Sequence, residues 1–395
     1  MLSSALALGL ALAAGLAAAG LAAAQDGVER GGPRTAAPIA TAVGEDADFL
    51  KPIIDRIVGG AVAREAIPGA IVGVSWQGRR SYFGYSGTGA APFTAETIVE
   101  IGSITKVFTT ALFAEAVAEG RMQPDAPLQS YLPDRRLRPC TAQITPLQLA
   151  DFTSGMPALP DDAPRALAER GIGTYAMDAF LAWVTRWAPE GAGNGGCDLP
   201  APYRYSNASV GLLGYIVAER LGMPWEALVR ERITGPLRMG STAVSVPPAQ
   251  RDRLAQGYGQ NNRPVMPWPV FAWYAAGALR SDAADMLTFG EAALGHESAG
   301  GAAVPPPLSR ALKTAMRPIY QPEGQAFRQG MAWIEAVGDP AAGQRPLFLK
   351  TGGTNGFNSV LVINPGKDLV VFLAANHPDS GAQRLGVAVS RQIRR

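Results

Sequence analysis

The sequence has very little histidine. Only two of its 395 residues are histidines, His296 and His377, and neither has an aspartate-rich or metal-ligand setting. This scarcity argues against a Ser-His-Asp triad and against a zinc site. The sequence also contains no G-x-S-x-G nucleophile elbow, no Walker A motif and no dinucleotide-binding fingerprint. An α/β-hydrolase and a nucleotide-dependent enzyme are therefore not expected.

Charged residues are also scarce. Asp, Glu, Lys and Arg make up 17% of the residues, and the formal net charge is +2. Nucleic-acid-binding proteins normally carry a basic stripe, and this composition argues against one. Hydrophobic residues make up 47% of the sequence, which is enough for a sizeable core and argues against a disordered chain.

Long apolar runs are absent apart from residues 1–24. This run ends in an A-x-A pattern at Ala22 and Ala24 and is followed by Gln25, which predicts a secretory signal peptide cleaved after Ala24. No lysine or arginine precedes the run, and the run is long enough to span a bilayer, so an uncleaved anchor is the alternative. Either interpretation predicts that the rest of the protein is periplasmic or secreted.

Cysteine occurs only twice, as Cys140 and Cys197. In an exported protein an even number of cysteines favours a disulfide. Such a bond would close a loop of more than fifty residues. Two unpaired thiols are the alternative.

The composition changes along the chain. Residues 25–50 are polar and rich in Gly and Pro, which predicts a flexible N-terminal segment before a folded domain at 51–395. Strand-like runs lie towards both ends of this domain, and the first two meet at Gln77-Gly78, a hairpin signal. Residues from about 124 to 275 have mostly helical patterns. We therefore predict an α+β fold, an α/β sandwich whose N- and C-terminal strands form one antiparallel sheet flanked by helices, with a mostly helical lobe beside it and a site in the cleft between.

Apolar spacing gives the approximate positions of the elements. It predicts helices at 46–64, 103–119, 145–152, 175–187, 207–221, 224–233, 281–294 and 380–394. It also predicts four C-terminal strands, within 328–337, 346–352, 357–365 and 368–377.

Lysine is rare, with five lysines against thirty arginines. One of them, Lys106, follows Ser103 by three residues at the start of a predicted helix, where positions i and i+3 share a face. A serine needs a nearby base to become a nucleophile. A partly buried lysine can lose its proton because burial lowers its pKa, whereas an arginine stays protonated. An ordinary helix with a surface lysine also fits this pattern when it is taken alone.

A second motif is Tyr205-Ser206-Asn207, which leads into a predicted helix. A tyrosine near ammonium groups can have a lowered pKa and act as general base or acid. The Asn207 amide offers a donor and an acceptor to a substrate amide. A buried tyrosine followed by an asparagine helix cap is the structural alternative.

A third motif is Lys350-Thr351-Gly352, which ends a predicted strand and is followed by Gly353. The lysine can point into a cleft, and the glycines let a substrate lie against the backbone. The N–H group of Gly353 can then join that of Ser103 in an oxyanion hole. A glycine-rich hairpin is the alternative.

The motifs S-x-x-K, Y-x-N and K-T-G in this order are typical of penicillin-recognising serine enzymes. From about residue 55 to the C-terminus the sequence resembles class C serine β-lactamases and the related D-alanyl-D-alanine peptidases of the AmpH type. The resemblance implies a β-lactamase/transpeptidase-like fold and a serine hydrolase that needs no metal or cofactor. We expect a monomer that acts on a small-molecule β-lactam or a peptidoglycan peptide, without a nucleic-acid or obligate protein partner.

The resemblance also implies roles for the motif residues. Ser103 would be the acylated nucleophile and Lys106 its activating partner, while Tyr205 would transfer protons. Asn207 would bind the substrate amide.

The remaining roles concern the substrate carboxylate. Lys350 and Thr351 would hold it, with Gly352 and Gly353 lining the substrate edge. Arg384, at the family's distance from Lys350, would assist.

Departures from the class C pattern leave the exact activity open. The tyrosine motif reads Tyr-Ser-Asn rather than Tyr-Ala-Asn, the loop 153–157 lacks the following glutamine, and Gly381 replaces an asparagine near the final arginine. The loop at 153–157 is closer to peptidase and esterase relatives, although the esterase branch usually lacks K-T-G. A β-lactamase, a D-alanyl-D-alanine carboxypeptidase or endopeptidase, a family VIII-like esterase and a non-hydrolysing penicillin-binding sensor all stay open.

Overall fold

The computed structural model describes six ranges of the chain. They are residues 39–64, 67–163, 175–189, 197–339, 341 and 343–394. The predicted signal peptide at 1–24 and residues 25–38 of the predicted flexible segment lie outside them.

Antiparallel strands from both ends of the chain form one eight-stranded sheet. The described strands are β1 (Ile39–Gly44), β2 (Gly69–Trp76), β3 (Arg79–Ser86), β4 (Val99–Glu100), β5 (Arg280–Ser281), β6 (Ser298–Ala299), β7 (Ala302–Ala303), β8 (Phe327–Gln329), β9 (Ile334–Ala336), β10 (Leu347–Gly353), β11 (Asn358–Asn364) and β12 (Leu369–Ala375). The large sheet has the order β1-β3-β2-β12-β11-β10-β9-β8, while β4 pairs with β5 and β6 with β7. Pairing of β2 with β12 joins the two ends of the chain, as the sequence predicts.

The hairpin between β2 and β3 turns at Gln77 and Gly78. Both residues have positive φ angles, 56° and 77°. Two consecutive left-handed residues are typical of the type I′ turn, whose twist matches that of the flanking strands. The predicted hairpin is therefore confirmed.

Helices cover both faces of the sheet and form a second lobe. The described helices are α1 (Ala47–Ile54), α2 (Gly60–Arg64), α3 (Thr105–Ala118), α4 (Pro139–Gln143), α5 (Pro146–Asp151), α6 (Met177–Arg186), α7 (Asn207–Leu221), α8 (Trp225–Val229), α9 (Ala283–Leu294), α10 (Pro306–Met316) and α11 (Ala382–Gln392). Helices α1 and α11 pack on one face of the sheet and α9 on the other. Helix α3 packs against α7, α8 and α10 in the helical lobe.

Helix α3 lies in the middle of the molecule. Every residue from Thr105 to Ala116 is buried, which explains why its sequence is apolar on all sides rather than along one stripe. None of the described helices is both long and apolar enough to cross a membrane.

Several elements differ from the sequence prediction. Residues 39–44, assigned above to the flexible segment, form strand β1, because an edge strand is held by backbone hydrogen bonds to β3 and needs no apolar pattern of its own. Helix α1 begins within the helix predicted at 46–64. The predicted strand at 328–337 is divided into β8 and β9, which pair as a hairpin. Helix α10 was not predicted, although its buried Leu308, Ala311, Leu312 and Ala315 have helical spacing.

Candidate active site

Ser103 lies in a short helical turn, Gly102–Ile104, that leads directly into α3. Gly102 has a φ of 53°, a left-handed conformation that favours glycine. The Thr105 hydroxyl donates to Gly102 O at 2.7 Å and accepts from Leu279 N at 3.0 Å. These bonds fix the turn against the segment that precedes α9.

Lys106 is completely buried, with no exposed surface. Its Nζ lies 2.9 Å from Ser103 Oγ, 2.6 Å from Asn207 Oδ1 and 2.7 Å from Ala276 O. The oxygens of Asn207 and Ala276 can only accept hydrogen bonds. In a neutral amine they take the two N–H groups, and the nitrogen lone pair is left facing the Ser103 hydroxyl.

The surroundings of Lys106 favour this neutral form. Burial lowers the pKa of Lys106 well below its usual value, and the positive charge of Lys350 lowers it further. Burial disfavours a charged group, and a like charge nearby disfavours it again. The lysine is therefore suited to take a proton from Ser103.

The loop before α7 brings Tyr205 and Asn207 beside Lys106. Ser206 caps α7, because its Oγ accepts from Ser209 N at 2.9 Å and donates to Pro157 O at 2.6 Å. Asn207 therefore begins the helix, and its side chain faces Lys106.

The ring of Tyr205 lies close to two lysines. Lys106 Nζ is 4.8 Å and Lys350 Nζ is 5.0 Å from the ring centroid. Phe152 also contacts the ring, at 4.9 Å between centroids.

The pKa of Tyr205 moves in the opposite direction from the sequence expectation. Burial raises it, and a hydrogen bond with Ser103 offsets only part of that increase. The expected lowering required charged ammonium groups beside the ring, but burial favours the neutral amines of Lys106 and Lys350. Tyr205 is thus a protonated phenol, a proton donor rather than the first base.

Lys350 is buried in strand β10, with 2% of its surface exposed. Burial lowers its pKa to about 7. The lysine therefore changes charge near neutral pH, next to Tyr205 and within electrostatic range of Lys106.

Strand β10 lies directly against the nucleophile segment. A Cβ added to Gly352 would be 1.9 Å from Ile101 O, and a Cβ added to Gly102 would be 2.6 Å from Gly353 N. Only glycine fits at these two positions, because backbone meets backbone there. The structure thus brings Gly353 against Gly102, the residue that precedes Ser103.

Thr351 and Arg384 lie on the other side of the sheet from Lys350. Side chains alternate along a strand, so Thr351 shares a face with Leu349, which belongs to the same buried cluster as Leu385 and Val389 of α11. Arg384 is exposed in the first turn of α11. Asn358 ties this helix to β10, since it accepts from Ala382 N at 2.8 Å and donates to Gly352 O at 3.1 Å. The roles of Thr351 and Arg384 in holding a substrate carboxylate stay predictions.

Cys140 and Cys197 are joined by a disulfide across 57 positions of sequence. It links α4 to the segment 197–204, which leads into Tyr205. The sequence alone left two unpaired thiols open, and the fold brings the pair together.

Two contributors to the site were not identified from the sequence. Ala276 contributes only its backbone carbonyl, for which a sequence offers no signal. Phe152 packs against the Tyr205 ring from a left-handed backbone conformation, with a φ of 68°. Its position directly before the Thr-Ser-Gly loop is the one sequence signal that could have indicated it. In the described ranges, no group of three or more His, Cys, Asp or Glu side chains is placed to hold a metal ion.

Comparison with known proteins gives one consistent result. The sequence profile of the family described as Beta-lactamase matches residues 54–391. The chain belongs to the β-lactamase family.

Two β-lactamases illustrate this membership. That of Pseudomonas fluorescens is 27% identical over 370 residues, which cover 86% of this chain and 97% of the relative. That of Escherichia coli (strain K12) is 25% identical over 362 residues, covering 83% of this chain and 89% of the relative.

Solved structures agree with the fold. The class C β-lactamase from Rhodobacter sphaeroides is 28% identical, with a TM-score of 0.71, and the match covers 87% of this chain and 98% of the other. A β-lactamase/D-alanine carboxypeptidase from Pseudomonas syringae has a TM-score of 0.74 at 24% identity, covering 88% and 100%. The predicted α+β, β-lactamase-like fold is confirmed, and this member of the family is a serine hydrolase.

Proposed function

We propose that this β-lactamase family member hydrolyses β-lactams in the manner of class C enzymes, through an acyl-enzyme on Ser103. One observation carries the proposal. Lys106 Nζ lies 2.9 Å from Ser103 Oγ in a fully buried position where the lysine pKa is lowered. A serine beside an unprotonated amine is an activated nucleophile.

Acylation begins with proton transfer from Ser103 Oγ to the Lys106 amine. The oxygen attacks the lactam carbonyl, and the N–H groups of Ser103 and Gly353 bind the developing oxyanion. The Tyr205 phenol then protonates the leaving nitrogen as the C–N bond breaks. The Lys106 ammonium returns a proton to Tyr205, so the site regains its starting protonation state.

Deacylation uses the same groups in reverse. A water molecule attacks the ester carbonyl and gives a proton to the Tyr205–Lys106 pair. Ser103 Oγ leaves and is reprotonated by that pair, in keeping with the reversal of acid and base roles. Beyond Leu349 strand β10 no longer pairs with β9, so a substrate carboxylate along this edge would meet Lys350 from one face and Thr351 from the other, with Arg384 assisting.

A D-alanyl-D-alanine carboxypeptidase is the second candidate. The Tyr-Ser-Asn motif is less typical of class C enzymes, and the loop at 153–157 is closer to peptidase and esterase relatives. A substrate with a carboxylate near the scissile bond fits both activities. The two candidates differ in how fast water releases the acyl group.

Incubation with a chromogenic cephalosporin separates the candidates. Steady turnover is expected for the β-lactamase. A single stoichiometric burst, with a stable adduct on Ser103 by mass spectrometry, would instead indicate a peptidase or a penicillin-binding sensor. Cleavage of short p-nitrophenyl esters without either result would indicate an esterase.

The mechanism itself is tested by removing the nucleophile. Ser103→Ala should abolish both turnover and adduct, whereas Ser130→Ala, at an exposed serine of another element, should leave both unchanged. Unchanged hydrolysis by Ser103→Ala would show that the mechanism is wrong.

We also infer that the protein is exported after cleavage near Ala24. The apolar run at 1–24 and the disulfide between Cys140 and Cys197 support this, because disulfides persist in oxidising compartments. The mature enzyme should begin at Gln25 by N-terminal sequencing of the periplasmic fraction. Recovery of Met1 in the membrane fraction would identify an uncleaved anchor instead.

A further inference from the structure

Glu100 is a buried carboxylate for which the proposed chemistry has no role. It lies three residues before Ser103 and is 5% exposed. It pairs with Arg280, whose Nη2 is 3.3 Å from Glu100 Oε1 and which is itself 8% exposed. Removing two charges from water is costly, so a buried ion pair is weak evidence of a contribution to stability. Its contacts point to another role.

The first contact connects Glu100 with the opposite side of the oxyanion hole. Glu100 Oε2 accepts a hydrogen bond from Thr354 Oγ1 at 2.7 Å. Thr354 directly follows Gly353, and Glu100 precedes Ser103 on a continuous short segment. The carboxylate therefore bridges the two chain segments whose N–H groups would bind the oxyanion.

The second contact fixes a loop beside the site. Trp268 N donates to Glu100 Oε1 at 2.5 Å, and Trp268 O accepts from Arg280 Nη2 at 2.7 Å. The ion pair thus holds both backbone polar groups of Trp268. Bonds in which one partner is charged are about twice as strong as neutral ones, so this arrangement is a rigid support.

These contacts support the separation between the Ser103 segment and the Gly353 segment, and catalysis depends on this separation. A Cβ at Gly102 would be only 2.6 Å from Gly353 N, which shows how closely the two segments approach. Oxyanion-hole donors act through their fixed placement, and the loss of one costs about 10²- to 10³-fold in kcat. A small displacement of Gly353 away from Ser103 would therefore weaken the stabilisation of the transition state.

We propose that the Glu100–Arg280 ion pair, acting through Thr354, is a positioning unit that sets the separation of the Ser103 and Gly353 N–H groups. The inference rests on the proposed function, since it requires an acyl-enzyme on Ser103. It assigns a role to Glu100, Arg280 and Thr354 that is separate from contact with the substrate.

Thr354→Val is the most direct test, because it removes the hydroxyl bound by Glu100 and leaves the ion pair intact. The readout is the carbonyl stretch of the acyl-enzyme, measured by infrared difference spectroscopy with a β-lactam that acylates Ser103. Looser oxyanion contacts polarise the ester carbonyl less, so its band should move to higher wavenumber. We expect kcat to fall at least about 10-fold with a smaller change in KM. Thr354→Ser, which keeps the hydroxyl, should restore both.

Glu291→Gln is the matched control for Glu100→Gln. Glu291 is also a buried carboxylate paired with an arginine, Arg80, and it also accepts from Ser75 Oγ at 2.7 Å. Both variants should lower the melting temperature, but only Glu100→Gln should shift the carbonyl band. A wild-type band and kcat in Thr354→Val, or an equal band shift in Glu291→Gln, would overturn the proposal. Absence of both turnover and adduct in the wild-type enzyme would instead contradict the proposed function.

Discussion

Lys106 Nζ and Asn207 Oδ1 are 2.6 Å apart across 101 positions of sequence, which joins the nucleophile helix to the helix that carries the tyrosine motif. The asparagine oxygen takes one N–H of the lysine and so helps to direct the lone pair towards Ser103. Because the amide is neutral, it orients the amine without adding a negative charge that would favour the protonated form.

Replacing Asn207 by Asp keeps this shape and adds a negative charge. An opposite charge within hydrogen-bond distance raises the pKa of a lysine, by about one to three units. The acid limb of the kcat/KM profile should move to higher pH by that amount, and activity at neutral pH should fall accordingly. Asn207→Ala removes the hydrogen bond without adding charge, so it should lower kcat/KM without this shift. Equal profiles for the two variants would contradict the assignment of Lys106 as the base.

Lys350 tunes Lys106 through its charge. Its positive charge helps to lower the pKa of Lys106, so its removal favours the Lys106 ammonium. Lys350→Met should therefore shift the acid limb of kcat/KM to higher pH. Lys350→Arg, which stays charged at all accessible pH values, should not. If the acid limb of the kcat/KM profile stays in place or moves to lower pH in Lys350→Met, the proposed effect of the Lys350 charge on Lys106 is wrong.

Gly102 should tolerate no side chain. In Gly102→Ala the new Cβ would meet Gly353 N at 2.6 Å while the backbone keeps a φ of 53°. We expect kcat to fall by at least about 100-fold, because the collision separates the oxyanion-hole donors. Gly120→Ala is the control: its φ is 69°, but no atom of the described residues lies within 4 Å of the added Cβ. It should lower the free energy of unfolding by about 1–2 kcal/mol and leave kcat unchanged. A similar kcat in the two variants would show that the contact between Gly102 and Gly353 has no effect on catalysis of its own.

The disulfide should stabilise the fold more than it aids the chemistry. Closing 57 positions restricts the unfolded chain, which corresponds to about 4 kcal/mol in the chain-entropy treatment. The double variant Cys140→Ala/Cys197→Ala should lose about 2–4 kcal/mol of unfolding free energy in urea titrations while keeping its kcat at 25 °C. A large fall in kcat with unchanged stability would show that the bond mainly positions the segment before Tyr205.

Much of the site follows from residue types alone. Ser103, Lys106, Tyr205 and Lys350 are recognisable because few side chains can act as nucleophile, titratable base or proton donor, and because their three motifs have a fixed order. The helices with regular apolar spacing, such as α6 and α11, are recognisable because one period matches one buried face. Strand β1 and the division between β8 and β9 could not be recognised from the sequence, because backbone pairing at a sheet edge leaves little trace in the side-chain pattern.

The sequence by itself determined which groups are available for catalysis and the order in which the chain supplies them. Only the tertiary structure decided their protonation and their alignment. The direction of the Tyr205 pKa shift depends on burial, which a hydrogen bond with Ser103 offsets only in part. The Ala276 carbonyl, the approach of Gly102 to Gly353 and the bridge from Glu100 to Thr354 depend on backbone placement across long separations. Burial and backbone contact are properties of the folded chain, because each arises only when segments distant in sequence pack together.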